Sequence, residues 1–261
     1  MDARDDKTAR TWQQRRAAIL DHLRENGRGS VGDMAGRLKT TPQTIRKDLS
    51  RLASEGEVMR FHGGATLIAG SEYLRYDLRK SIAPEQKERI GRACAAQVPN
   101  NAFLAINSGT TTAAAARHLR FHTGLRVVVD SLIVANETRG FPGLEVIVPG
   151  GVVRETDGSI LGEAAVEFLS RLRPDIALVG AAAVGSDGTL FDFDLGESHM
   201  VRTMLQNAAH VILAIDRSKF GQVAPVATGT MAQIQTLVID RPCPEPLRQL
   251  TRAHSVRLIE V

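Results

Sequence analysis

The chain has 261 residues, of which 43% are apolar and 24% are charged, so it can bury a sizeable core and is not expected to be disordered. It has no run of 18 apolar residues and no apolar segment behind its charged N-terminus, which excludes a membrane-spanning helix and a secretory signal. Two cysteines and seven scattered histidines predict neither a disulfide framework nor a metal site, so we expect a cytoplasmic protein without a cofactor.

The net charge of +4 is concentrated at the start of the chain. Residues 1–64 contain 13 Lys and Arg against 9 Asp and Glu, whereas residues 65–261 contain 20 of each. A basic excess of this size also occurs on ordinary solvated surfaces. It therefore indicates only where a polyanionic partner would bind.

The N-terminal region has the apolar periodicity of three short helices. The first ends at Asn26-Gly27, because glycine readily adopts the left-handed conformation past a helix end. The second begins at Ser30 or Val31, and the third spans residues 42–54, with a proline at its first position. The predicted buried residues of the first and third helices are Trp12, Ile19, Leu20, Leu23, Ile45, Leu49 and Leu52.

A hairpin signal follows, with short strands on either side of the turn His62-Gly63-Gly64. Three helices and a hairpin are typical of a winged helix-turn-helix, so residues 1–68 are predicted to form a DNA-binding domain. The alternative is a solvated helix face followed by a tight turn. The predicted DNA contacts are Thr41, Gln43, Thr44, Arg46, Lys47 and Arg51 on the third helix, and Arg60 and His62 on the wing.

Residues 69–83 have little periodicity and are predicted to be a linker, and residues 84–261 to be an effector-sensing and oligomerisation domain. In this domain apolar strands alternate with helices, which predicts an α/β fold with an open, mainly parallel sheet. The predicted strands are Ala102–Ile106, Arg126–Val129, Leu144–Val148, Ile176–Val179, Val211–Ile215, Thr236–Ile239 and Val256–Ile259.

Four loops after these strands have the composition of a small-anion pocket, because ligands bind at the carboxyl ends of strands in such sheets. The first loop opens a helix, whose backbone amides can hold an anion. Each loop taken alone can equally be an ordinary turn. The predicted site residues in these loops are Asn107, Ser108, Gly109, Thr110, Thr111, Asp130, Ser131, Gly150, Gly151, Arg154 and Gly180.

Several motifs resemble those of DeoR-family transcriptional regulators. The matching segments are Thr41–Leu49, His62-Gly63-Gly64-Ala65, Ser108-Gly109-Thr110-Thr111, Gly150-Gly151 with Arg154, and Asp216–Gly221. Within the family the chain is similar to the glycerol-3-phosphate regulon repressor branch, through Pro84–Ile90 and Ser186–Asp194. The resemblance implies a repressor of a carbohydrate or polyol catabolic operon. It also implies a C-terminal domain related in fold to phosphosugar isomerases, which senses a phosphorylated sugar or polyol.

Three positions depart from the family pattern. Asn107 stands where an aspartate is usual, and Val129-Asp130-Ser131 stands where the family usually has Thr-Asn-Ser. Val201 replaces a common lysine, although the next residue, Arg202, matches. The added carboxylate and the missing ammonium both disfavour a doubly charged phosphate. The cations that can compensate for them are Arg154, Arg202 and Lys219.

Two other functions fit parts of the sequence. A phosphosugar isomerase or deaminase with a DNA-binding head would use Asp130, Asp192, Asp194 or Glu197 as a base. Acidic residues between a strand and a helix are more often caps, so we expect a regulator without catalytic residues. A purely architectural DNA-binding protein would leave the C-terminal region unexplained. Specific binding to double-stranded operator DNA also implies a homo-oligomer, either a dimer or a tetramer.

Overall fold

The computed structural model describes residues 12–26, 28–54, 58–61, 63–67, 76–81, 83–222 and 224–261. Internal contacts divide the chain into two units, Met1–Ile82 and Ala83–Val261. Within the described ranges, no helix has the length and apolar character needed to cross a membrane.

The first unit contains the three predicted helices and the predicted hairpin. A third strand, which the sequence did not predict, completes an antiparallel sheet in the order β1-β3-β2. The predicted stripe of the third helix, Ile45, Leu49 and Leu52, is fully buried in a cluster with residues of the first two helices and the hairpin. The elements are α1 (Trp12–Asn26), β1 (Arg28–Ser30), α2 (Val31–Arg37), α3 (Pro42–Ser54), β2 (Val58–Phe61), β3 (Gly64–Leu67) and α4 (Tyr76–Ser81).

The two glycines of the hairpin turn are required by its geometry. Gly63 has a φ of 88°, in the left-handed region that favours glycine, and its carbonyl accepts a hydrogen bond from the amide of Val31 at 2.8 Å. A Cβ atom on Gly64 would lie 2.3 Å from the carbonyl oxygen of Gly29. Any side chain at Gly64 would therefore push β1 away from β3.

Part of the predicted linker is helical. Helix α4 lies within residues 69–83, and the side chain of Tyr76 at its start is only 4% exposed. Burial of this ring stabilises a helix in a segment whose sequence has no apolar periodicity. Residues 68–75 and residue 82 lie outside the described part of the chain.

The second unit is built on a seven-stranded sheet in which all neighbouring strands are parallel, as predicted. Its strand order is β15-β14-β12-β9-β4-β5-β6. The strands are β4 (Phe103–Ile106), β5 (Leu125–Val129), β6 (Leu144–Ile147), β9 (Ile176–Val179), β12 (His210–Ala214), β14 (Thr236–Ile239) and β15 (Arg257–Glu260).

Among the described residues, six helices accompany the large sheet, in the alternation with strands that the sequence predicted. Leu125, Val127 and Val128 of β5 are almost completely buried, as expected for a parallel sheet. The helices are α5 (Pro84–Ala95), α6 (Thr110–His118), α7 (Leu132–Thr138), α8 (Glu163–Ser170), α9 (Leu195–Asn207) and α10 (Glu245–Ala253).

Two small antiparallel sheets were not predicted. Their strands are two to five residues long, too short for an alternating pattern to stand out in the sequence. One is the hairpin β7-β8, and the other has the order β10-β11-β13. Their strands are β7 (Val152–Val153), β8 (Ile160–Leu161), β10 (Ala183–Val184), β11 (Thr189–Asp192) and β13 (Val226–Thr230).

The large sheet reverses its winding between β4 and β9. From β4 the chain adds β5 and β6 on one side, and from β9 it adds β12, β14 and β15 on the other. Because the connections diverge at this point, a crevice forms beyond the carboxyl ends of β4 and β9. The four loops predicted to bind a ligand follow β4, β5, β6 and β9, so they lie at this edge.

Candidate DNA-binding surface and effector site

Helix α3 has one buried face and one exposed face. The exposed face carries the hydrogen-bond donors that the sequence predicted for DNA contact, while Ile45 and Leu49 are buried on the other face. Of the predicted residues on α3, only Thr44 is partly buried. A concave surface along the helix is lined by Thr41, Gln43, Thr44, Arg46, Lys47 and Arg51, together with Trp12, Arg15, Asp48 and Ser50.

Contacts at both ends of α3 fix its orientation. Oγ1 of Thr41 accepts a hydrogen bond from the amide of Thr44 at 3.1 Å, which caps the helix. The guanidinium of Arg51 lies 4.5 Å from the centroid of the Trp12 ring. Arg15 of α1 binds Asp48 through two hydrogen bonds of 2.7 and 3.2 Å. These contacts hold the exposed face of α3 in one position relative to α1.

Of the two predicted wing residues, the structure describes Arg60 but not His62. Arg60 is exposed on β2, and its Nη1 donates a hydrogen bond to Oγ of Ser50 on α3 at 2.5 Å. This bond joins the wing to the donor-rich helix. His62 lies outside the described residues.

The loop after β4 is buried and held in place at the crevice. Asn107 and Ser108 are less than 10% exposed, and Oδ1 of Asn107 accepts a hydrogen bond from the amide of Gly180 at 2.9 Å. Oγ1 of Thr112 donates to the carbonyl oxygen of Asn107 at 2.7 Å. The predicted residues of this loop and Gly180 therefore lie together, at the start of α6.

Arg154 is the centre of a charged network at the same edge. Its Nε and Nη2 donate to the two carboxylate oxygens of Asp157 at 2.9 and 2.6 Å. Its Nη2 also donates to Glu197 of α9, and its Nη1 lies 3.8 Å from Oδ2 of Asp194. One guanidinium is thus shared among three carboxylates, so its positive charge is already largely compensated.

Two serines connect this network to the loop after β4. Oγ of Ser159 donates to Oγ of Ser108 at 2.7 Å, and Nη2 of Arg154 donates to Oγ of Ser159 at 3.3 Å. The backbone of Ser159 forms a bridge with Ser131, directly after β5. The loops after β4, β5 and β6 therefore meet, as their positions at one sheet edge predicted.

Asp130 is the most unusual group in this region. Its side chain is 3% exposed, and no hydrogen-bond partner of its Oδ1 atom occurs among the described residues. Burial raises the pKa of this carboxyl well above its usual value, and the nearby carboxylates of Glu197 and Asp157 raise it further. The backbone amide of Ser108 acts in the opposite direction, which places the carboxyl beside the loop after β4.

The remaining residues of the predicted pocket have structural contacts of their own. Oγ of Ser131 accepts from the amide of Val134 at 3.3 Å and caps α7. Gly150 and Gly151 are exposed after β6, and a Cβ atom on Gly151 would lie 2.6 Å from the carbonyl oxygen of Leu161. The loop after β6 therefore passes close to β8.

The other two predicted compensating cations, Arg202 and Lys219, lie on α9 and in the turn after β12. Arg202 is exposed and donates to the carbonyl oxygen of Ala227 in β13 at 2.8 Å. Lys219 ends a 3-10 turn after β12, within the motif Asp216–Gly221. The amide of Gly221 donates to the carbonyl of Val184, so this motif also anchors β10. Effector contacts by Arg202 and Lys219 stay predictions.

Asp157 and Ser159 were not among the predicted site residues, and Glu197 was predicted only as a candidate base. The pair Asp157-Gly158 between two short apolar segments is a hairpin signal that places Ser159 back beside Arg154. The contact between Arg154 and Glu197 joins residues 43 positions apart, and no local pattern indicates it. Among the described residues, no group of three or more His, Cys, Asp or Glu side chains is arranged to hold a metal ion.

Comparison with solved structures finds only a weak likeness. A ribose 5-phosphate isomerase from Methanocaldococcus jannaschii matches with a TM-score of 0.40 and 16% identity, over 52% of this chain and 54% of that chain. A likeness at this level supports no conclusion about function.

Comparison with sequence families and curated proteins is much more specific. Residues 15–70 match the DeoR-like helix-turn-helix domain, and residues 82–241 match the DeoR C terminal sensor domain. The chain is 37% identical to the glycerol-3-phosphate regulon repressor of Escherichia coli K12, over 94% of this chain and 97% of that protein. It is 31% identical to the HTH-type transcriptional repressor CsqR of the same strain, over 97% of each. The chain therefore belongs to the DeoR family of helix-turn-helix transcriptional regulators.

Proposed function

We propose that this protein represses a carbohydrate or polyol catabolic operon and is released from its operator by a sugar-phosphate-like effector. The observation that carries the proposal is the exposed, donor-rich face of α3 in a winged helix-turn-helix. The relatives named above are transcriptional repressors, which supports repression over activation. The protein would act in the cytoplasm, beside its operator.

In this proposal α3 reads the major groove of operator DNA. Gln43, Arg46 and Lys47 are exposed and have the donors that base edges and phosphates accept. Thr41, Thr44 and Arg51 flank them, and Arg60 would contact the adjacent backbone. His62 is the other predicted DNA contact. One winged helix makes few base contacts, so we propose that the protein binds as a homo-oligomer on repeated or palindromic half-sites.

The effector would bind beyond the carboxyl ends of β4, β5, β6 and β9. The backbone amides in the first turn of α6 would receive its phosphate, because a helix start carries partial positive charge and unpaired amides. The remaining predicted contacts border the crevice and would position the rest of the effector. They are Asn107, Thr110, Thr111, Asp130, Ser131, Gly150, Gly151, Arg154, Gly180, Arg202 and Lys219.

The contacts of Asp192, Asp194 and Glu197, three of the four candidate bases, argue against an isomerase or deaminase. Asp194 caps α9 by accepting from the amide of Glu197 at 2.9 Å, and Asp192 accepts from the amide of Phe193 at 2.7 Å. Glu197 is bound to Arg154. A base must be free to take a proton from substrate, so we propose that the domain senses its ligand without converting it. Turnover of ribose or glucosamine phosphates by the purified protein would contradict this.

The test of the DNA surface compares two arginine variants. Arg46→Ala removes an exposed guanidinium from the centre of α3, and we expect operator affinity to fall at least about tenfold. Arg171→Ala removes a guanidinium that is 74% exposed directly after α8 of the second unit, and it should leave affinity unchanged. Anisotropy of labelled upstream DNA measures both. If Arg46→Ala and the wild type bind the operator with equal affinity, α3 is not part of the DNA interface.

A further inference from the structure

The carboxyl of Asp130 interacts with the backbone amide of Ser108, but one of its two oxygens is left without a partner among the described residues. Asp130 is 3% exposed, and Oδ1 has no hydrogen-bond partner among the described residues. The neighbouring Ser131 provides the cap of α7, so the helix does not need Asp130. An unpaired buried polar atom costs free energy, and such atoms in native proteins are uncommon. A ligand that pairs with Oδ1 would recover this cost.

The charges around Asp130 restrict what that ligand group can be. Glu197 and Asp157 lie close enough to act electrostatically on Asp130, and both share the guanidinium of Arg154. A phosphate beside these carboxylates would be repelled. A metal ion is not favoured, because the acidic side chains among the described residues do not form a metal-binding group.

A hydroxyl group fits Asp130 in either protonation state. An ionised carboxyl accepts hydrogen bonds only, whereas a protonated carboxyl can donate one. A hydroxyl both donates and accepts, so it pairs with Oδ1 in both cases. A phosphate dianion only accepts hydrogen bonds, so it can pair only with the protonated carboxyl.

We propose that Asp130 determines the specificity of the effector site by binding a hydroxyl of the effector and excluding a phosphoryl group from this end of the crevice. The effector is then a polyhydroxy compound with a free hydroxyl at the end of β5 and its phosphate at the start of α6. This inference rests on the proposed effector site. Beyond that site, it gives the orientation of the effector and names Asp130 as the residue that distinguishes the hydroxyl end of the effector from its phosphate end.

The test separates the hydroxyl contact from the phosphate contact. Binding of glycerol 3-phosphate, ribose 5-phosphate, glucose 6-phosphate and inorganic phosphate to the full chain is measured by titration calorimetry. The readout is the affinity for each hydroxylated phosphate divided by that for inorganic phosphate. Any general effect on the phosphate end cancels in this ratio.

Three variants give distinct expectations. Asp130→Leu cannot hydrogen-bond, and the ratio for the compound that the wild type prefers should fall at least about tenfold. Asp130→Asn still pairs with a hydroxyl and should keep the ratio within about threefold. Glu155→Gln removes an exposed carboxylate from the Arg154–Ser159 turn and should leave the ratio unchanged.

Two results would overturn the inference. One is an unchanged ratio in Asp130→Leu, with its melting temperature confirming that the variant is folded. The other is a wild type that binds no hydroxylated phosphate more tightly than inorganic phosphate. Both results leave operator binding untouched, so a failure here is distinguishable from a failure of the DNA-binding function, which Arg46→Ala tests.

Discussion

Oδ1 of Asn107 accepts a hydrogen bond from the backbone amide of Gly180 at 2.9 Å, which joins the ends of β4 and β9 where the large sheet reverses its winding. The bond is partly buried, so its loss would leave an amide unpaired. We expect Asn107→Ala to lower the free energy of unfolding of the second unit by about 1–3 kcal/mol. Asn107→Asp keeps a hydrogen-bond acceptor, so its free energy of unfolding should fall by less. Calorimetric unfolding measures both, and an Asn107→Ala protein as stable as the wild type would contradict the role of this bond.

Asp130 should make stability depend on pH in an unusual direction. Its pKa in the folded protein lies above the unfolded value, because burial and neighbouring carboxylates oppose ionisation. The loss of folding free energy that Asp130 causes is therefore absent below the unfolded pKa of about 3.9, and it grows as pH rises toward the folded pKa. We expect Asp130→Asn to melt at a higher temperature than the wild type at neutral pH, with the difference shrinking toward pH 4. A wild type that is the more stable at neutral pH would contradict this.

Arg154 should be essential to the stability of the effector site. The side chain of Asp157 is fully buried and that of Glu197 nearly so, and both depend on this guanidinium. Arg154→Met leaves these charges without their cation, and we expect a loss of about 3–5 kcal/mol. Arg171→Ala breaks an exposed pair with Glu167 and serves as the control, with a loss below about 1 kcal/mol. Similar melting temperatures for the two variants would show that the buried carboxylates find other partners.

The cap of α3 should matter for both stability and DNA binding. Thr41→Ala removes the acceptor of the Thr44 amide, and we expect a loss of about 1 kcal/mol in the first unit. Thr41→Ser keeps the hydroxyl and serves as the matched control. Thermal unfolding measures the stability, and an operator titration measures whether the DNA affinity of the α3 surface changes with it. If Thr41→Ala and Thr41→Ser melt together, the hydroxyl does not act as a cap.

The sequence predicted the elements whose signals are local. The buried stripe Ile45, Leu49 and Leu52 repeats at helical spacing, and the structure buries all three completely. The wholly apolar strand Ile176–Val179 lies in the middle of the parallel sheet, where both of its faces are covered. Such patterns report the burial of one segment, so one sequence is enough to recognise them.

The missed features depend on distant contacts. Strand β1 has three residues and is recognisable only because it pairs with β3, whose register brings Gly29 opposite Ala65. The sharing of Arg154 among carboxylates depends on how α9 packs against the turn at Asp157. The sequence identified Asp130 as a departure from the family pattern. Its missing partner is visible only once the surrounding loops are placed.

The most direct test of the account is a titration of labelled DNA from the gene's own upstream region, followed by fluorescence anisotropy at two salt concentrations. Sugars, polyols and their phosphates are added in turn. We predict tight, salt-sensitive binding that one phosphorylated polyhydroxy compound weakens by at least about fivefold. Binding without sequence preference, or operator binding that no compound in the panel changes, would contradict it.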